Sequence, residues 1–91
     1  MGEDLDTARK RLAMRAWRRG TKEMDLILGP YADAHLAGMG AEDLAAFDAL
    51  LSENDQDLMG WVIGQAPVPA AHAALLARLT KHARTRLTAS N

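Results

Sequence analysis

Two adjacent arginines, a glycine, a lysine and two carboxylates fall within eight residues, Arg18-Arg19-Gly20-Thr21-Lys22-Glu23-Met24-Asp25. Such a group can serve in two ways. The charges can complement the dipoles of one helix ending at Gly20 and another starting near Thr21, each effect contributing about 0.3–1 kcal/mol. Gly20 would then be a left-handed cap. The same residues can instead form a recognition corner for another protein. Arg19 offers a planar fork of donors to a carboxylate or carbonyl, and a glycine lets a foreign backbone approach closely.

No other stretch competes as a reactive site. His35, His72 and His82 stand alone, with no pair at the i, i+4 spacing of a helical metal site. Asn54-Asp55-Gln56-Asp57 lacks the alternating oxygens, central glycine and closing glutamate of a calcium loop, so it reads as helix capping. Gly38-Met39-Gly40 precedes no Lys-Ser/Thr pair, and Ser52 and Ser90 sit in no nucleophile-elbow sequence. The absence of cysteine removes thiol catalysis, disulfides and thiolate metal sites. A non-enzymatic protein with no metal is expected.

The elements around the corner follow from apolar spacing. Leu5, Ala8, Leu12 and Ala16 predict a first helix over residues 4–19, with Asp4 and Asp6 at its positive end and Gly20 stopping it. A second helix starts at about Thr21 and carries the clearest amphipathic stripe, Met24, Ile27, Leu28, Tyr31 and His35. Gly29-Pro30 interrupts it. Proline costs about 3 kcal/mol inside a helix, so a kink or a break is expected there.

A loop at Gly38-Met39-Gly40 leads to a third helix, Ala41 to about Glu53, with Leu44, Phe47, Leu50 and Leu51 inward. The Asn54–Asp57 caps begin a fourth helix bearing Leu58, Trp61, Val62 and Gln65, closed by Gly64 and Ala66-Pro67-Val68-Pro69. A fifth runs from about Ala70 to Leu87 with Leu75, Leu76, Leu79, Ala83 and Leu87 as its stripe. Nothing alternates as a strand would. The expectation is an all-α fold, a compact bundle of about five short helices in one domain over residues 1–91, with 88–91 frayed.

Composition narrows the partner. The chain has 91 residues, 48% of them hydrophobic and 25% charged, enough for one core. A net charge of −1 conceals opposed patches. Arg9, Lys10, Arg11, Arg15, Arg18, Arg19 and Lys22 form a basic block, whereas nine carboxylates and no Lys or Arg lie between Glu23 and Ala77. Such a multipole can steer a charged partner. The basic first helix could neutralise phosphates, but the acidic middle would repel a duplex. A pI near 6.3 is also far below that of a nucleic-acid-binding module.

No apolar run approaches the roughly 20 residues of a membrane span, and the acidic N-terminus is neither a secretory signal nor an organelle transit peptide. A soluble cytoplasmic protein, with no nucleic acid bound and no membrane insertion, is expected.

The segment Arg-Arg-Gly-Thr-Lys-Glu-Met-Asp resembles the Arg-Gly-x-x-Glu motif of the FAD assembly factors of succinate dehydrogenase, small proteins that promote flavinylation of its flavoprotein subunit. Leu26-Ile27-Leu28-Gly29-Pro30 with Ala32-Asp33 is similar to that family's second helix. Glu53-Asn54-Asp55-Gln56-Asp57-Leu58 with Trp61 is similar to its Asp-x-Asp-Leu-x-x-Trp segment, although Gln56 stands where proline is frequent. The resemblance covers about residues 9–80.

It implies a five-helix chaperone that is not itself the catalyst. Such a factor docks on the flavoprotein subunit of succinate dehydrogenase or fumarate reductase and favours covalent attachment of FAD to a histidine of that client. By the same resemblance Arg19, Gly20 and Glu23 are the partner-binding positions, with Arg18 and Asp25 beside them. Nothing in the sequence looks like a flavin pocket, so no cofactor is expected to be held stably and FAD belongs to the client. The alternatives are a generic helical interaction module with another client, or a small nucleic-acid-binding regulator using the basic first helix.

Overall fold

Leu12, Leu28, Phe47, Leu50, Leu58 and Leu79 are drawn from five different helices and are each almost completely buried in one core. The computed structural model describes residues 3–89. Its helices are α1 (Leu5–Ala16), α2 (Lys22–His35), α3 (Ala41–Leu51), α4 (Asp55–Val62) and α5 (Ala73–Ala89). Short 3₁₀ turns, Leu36–Gly38 and Ala70–His72, precede α3 and α5. Helix α1 packs on α2 and α3, while α5 covers α2 and α4. The expected all-α bundle of five helices is what forms.

Helix starts follow the expected chemistry. Asp4, Thr21 and Asn54 are N-caps whose side chains accept from the backbone N–H groups of Thr7, Met24 and Asp57. At the far end of α4, Gly64 has φ +79°, and the Gln65 N–H reaches back to the Gly60 carbonyl at 2.8 Å. That is a Schellman closure, the geometry in which a left-handed glycine is favoured.

Three expectations need correction. Helix α1 ends at Ala16, not at 19, and Gly20 is not its left-handed cap, since Gly64 is the only residue with positive φ among those described. The chain leaves the helix early because Trp17 turns aside. Its indole lies over Gly29 and donates to Asp33 at 3.1 Å.

The second correction concerns the break that was one of the two outcomes expected at Pro30, which instead sits inside a continuous α2. Proline removes the bond to the carbonyl four residues back, here that of Leu26. The Arg86 guanidinium of α5 donates to that carbonyl at 3.3 Å, replacing what the proline removed. Third, Gly38-Met39-Gly40 is not a free loop. Leu36–Gly38 is a 3₁₀ turn and Met39 is buried, with Arg9 of α1 donating to the Leu36 and Met39 carbonyls at 3.2 and 2.8 Å.

Most stripe residues point inward, but Leu5 is 42% exposed, and His35 and Gln65 also face solvent. Helix α5 begins in α-geometry only at Ala73, after its 3₁₀ turn, and runs through Thr88 to Ala89. Ser90 and Asn91, the end of the segment expected to fray, lie outside the described residues, as does the side chain of Leu87. No helix among the described residues is long and apolar enough to cross a membrane.

The basic block of α1 is largely paired inside the molecule. Arg11 and Arg15 both meet Asp48 of α3, at 3.0 and 2.6 Å, and Arg11 also holds Glu3. The Arg11 hydrogen bond, helped by Arg15, keeps the Asp48 carboxyl below its usual range.

Candidate docking site

The junction between α1 and α2 lies against the junction between α3 and α4, and Arg19 joins them. Its backbone N–H donates to Asp25 Oδ1 at 2.6 Å, anchoring residue 19 to the first turn of α2. Its guanidinium turns inward. Nε donates to Asp55 Oδ1 at 2.8 Å, Nη1 to the Leu51 carbonyl at 2.6 Å and Nη2 to the Glu53 carbonyl at 2.8 Å.

Leu51 ends α3, where carbonyls lose their helical donors, and Asp55 begins α4, where a carboxylate is favoured by the helix dipole. One planar fork therefore satisfies both helix ends at once. A lysine, as a point charge, cannot match that geometry. The pair is well shielded, with the Arg19 side chain 10% exposed and Asp55 17% exposed.

Gly20 completes the clamp. Its N–H donates to the second oxygen of Asp55 at 2.6 Å. A Cβ at this position would stand 2.7 Å from that same oxygen, closer than a carbon and a carboxylate oxygen can sit. The glycine is required here by the Asp55 carboxylate beneath it, not by backbone curvature.

The five residues singled out in the sequence thus divide. Arg19, Gly20 and Asp25 are knitted into the clamp, whereas Arg18 and Glu23 point to solvent. Glu23 forms no ion pair among the described residues. Arg19 does not hold its fork out to a partner, since Asp55 and two main-chain carbonyls occupy it. Its part is to fix the position of Gly20 and Glu23 relative to α4.

Sequence reasoning missed Asp55, which it took as capping chemistry. The signal was present in the acidic segment, but 36 residues separate Arg19 from Asp55 and no periodicity links them. It also missed His72, which is buried and meets Glu53 Oε2 at 2.8 Å while lying 5.7 Å, ring to ring, from Trp61. Glu53 is therefore gripped twice, at its carbonyl by Arg19 and at its carboxylate by His72.

The histidines are not all isolated in space. His35 and His82 stand 5.4 Å apart with Tyr31 between the helices that carry them. They border an open cleft of about 560 Å³ that also meets Asp43, Arg78 and Lys81. His82 Nδ1 is buried without a hydrogen-bond partner among the described residues. Burial first, then the nearby His35 and Arg86, push the His82 imidazole below its ordinary pKa of 6.5.

The chain is similar to known proteins. The sequence model of the family described as "Flavinator of succinate dehydrogenase" matches residues 10–83. The mitochondrial succinate dehydrogenase assembly factor 2 of Cryptococcus neoformans is 41% identical over 85 residues, covering 91% of this chain and 49% of its own length. Its counterpart in Aspergillus terreus is 44% identical over 66 residues, 72% of this chain and 22% of its own. The FAD assembly factor SdhE of Acetobacter pasteurianus is 34% identical over 85 residues, 92% of this chain and 78% of its own. The chain spans half or less of the two fungal proteins it matches and most of the bacterial one. With every residue of the clamp inside the matched stretch, the chain belongs to the succinate dehydrogenase flavinator family.

Proposed function

We propose that this protein is a non-enzymatic assembly factor that docks on the flavoprotein subunit of succinate dehydrogenase and promotes covalent attachment of FAD to it. The observation that carries the reading is the clamp. The matched segment holds a rigid corner, Gly20 above Asp55, with Glu23, a carboxylate in no ion pair among the described residues, displayed next to it. Relatives named as assembly factors for this enzyme and for FAD support the choice of client. Fumarate reductase is a second client under the same reading. The reading takes the protein as a bacterial cytoplasmic one, on its likeness to a bacterial factor.

The mechanism asks no reacting group of this chain. A factor that binds one conformation of its client better than another shifts the client toward it, by as much as the two affinities differ. A corner whose parts are fixed by four hydrogen bonds to Asp55 and the α3 and α4 ends loses little freedom on docking. Glu23 can take a donor from the client, and Arg18 can meet a carboxylate. In this reading FAD stays with the client, in keeping with acceptors already held by three Arg19 N–H groups and the Gly20 N–H.

In-gel flavin fluorescence of the purified apo-flavoprotein subunit incubated with FAD, with and without this protein, tests the reading. Covalent flavin should accumulate faster with the protein present. Equal accumulation in both lanes would overturn it.

A further inference from the structure

A groove of about 430 Å³ opens beside the corner, between the start of α2 and one side of α4. Thr21 and Glu23 border it on α2, and Asp55, Met59, Gly60 and Ile63 on the α4 side. Ile63 is 55% exposed, the most exposed large apolar side chain among the described residues. It is held in place by the Schellman closure of α4, with the Gln65 N–H on the Gly60 carbonyl. Gly60 brings bare main chain to the groove wall. An apolar group fixed in water gains from being covered.

The charge around the groove is one-sided. No lysine or arginine lines it. Asp55 is matched by Arg19, which leaves Glu23 as the unmatched charge on the rim. An acidic or purely apolar segment would leave Glu23 desolvated beside it and unpaired, which costs free energy. A segment that carries an aliphatic group and a cation satisfies both features.

We infer that this groove receives a segment of the client flavoprotein in which an aliphatic side chain neighbours a lysine or arginine. The aliphatic group covers Met59 and Ile63, and the cation faces Glu23. The inference rests on the docking function proposed above and extends its surface from the corner along α4, with Glu23 shared by both.

The test measures binding of the purified apo-flavoprotein subunit of succinate dehydrogenase to the immobilised full chain at low and high salt. Ile63→Asp and Gly60→Leu should each weaken binding about tenfold or more, as loss of a central contact does, with thermal midpoints unchanged. A Cβ at Gly60 makes only an ordinary contact, 3.6 Å from Ala66, so the longer side chain has room to start. Glu23→Gln should weaken binding and flatten its salt dependence. Leu5→Asp, at an exposed apolar position on α1, should bind as the unmodified protein does.

If Glu23→Gln weakens binding while Ile63→Asp and Gly60→Leu do not, the groove is empty in the complex, and the docking function stands without it. If sedimentation shows the chain self-associating and Ile63→Asp abolishes this, the occupant is a second copy and the inference is wrong. If the unmodified chain neither binds the subunit nor raises its covalent flavin, the functional reading itself falls, and the inference with it.

Discussion

Asp55 holds both halves of the Arg19-Gly20 pair, one carboxylate oxygen on the Arg19 Nε at 2.8 Å and the other on the Gly20 N–H at 2.6 Å. The most recognisable dipeptide of the chain is thus first a structural joint, and its outward use depends on that joint. Substitutions at and around the pair separate the two roles.

Removing one partner of a shielded ion pair strands the other. Arg19→Ala should therefore lower stability by about 3 kcal/mol, or on the order of 15 °C in Tm for a domain this small. Arg19→Lys should recover only part of the loss, because an ammonium cannot reach Asp55 and two carbonyls together. Differential scanning fluorimetry reads both. A Tm for Arg19→Lys equal to that of the unmodified protein would show that charge alone holds the joint.

At Gly20 even a methyl group displaces the Asp55 carboxylate. Gly20→Ala should cost about 1–2 kcal/mol through the lost charge-assisted bond, and Gly20→Arg more. A fall in flavinylation by Gly20→Arg consequently mixes lost folding with blocked docking. Gly20→Ala measured below its Tm separates them: near-normal flavinylation there would assign the glycine to the joint alone.

Glu23 is the cleaner probe of docking. It is exposed and unpaired among the described residues, so Glu23→Ala should leave stability within about 0.5 kcal/mol. Flavin incorporation should nevertheless fall severalfold. A variant that retains both stability and full stimulation would remove Glu23 from the docking surface.

Gly29→Ala sets two effects against each other. Alanine favours a helix by about 1 kcal/mol, but its Cβ would overlap the Trp17 indole, an overpacking that costs about 1–3 kcal/mol. The clash should win, because the ring must lift and surrender its bond to Asp33. In a Trp61→Phe background, the Trp17 emission of Gly29→Ala should shift to the red.

Acid should weaken the α2–α5 contact before it reaches the carboxylates. His82 binds its proton less readily folded than unfolded, so its contribution is complete above pH 6.5 and is lost as pH falls toward the depressed folded value. Across the contact it faces Tyr31 and His35, with Arg86 on its own helix and Arg78, Lys81 and Asp43 around the cleft. Asp48, whose pKa lies below 3.8, acts only in stronger acid. The urea midpoint should drop as pH falls below 6.5, and His82→Phe should flatten that drop.

Periodicity and capping made the five helices legible, since stripes such as Met24, Leu28 and Tyr31 and caps such as Thr21 and Asn54 act within a few residues of themselves. What stayed hidden acts over distance. Pro30 reads locally as a breaker, and the donor that meets the freed Leu26 carbonyl comes from Arg86, 60 residues beyond Leu26. Gly20 reads locally as a cap because Asp55, its reason for being glycine, belongs to another helix. The proposed docking role of the corner came from a resemblance, and spacing alone would have left it a turn.

Two of the three acceptors of the Arg19 fork are main-chain oxygens, those of Leu51 and Glu53. The joint is therefore indifferent to which side chains fill residues 51–53 and sensitive to how many residues lie between α3 and Asp55. It acts as a length gauge for that connection: a substitution leaves these two acceptors in place, whatever it costs the core at Leu51 or the His72 contact at Glu53, while a single inserted residue would put the carbonyls out of reach and release the corner.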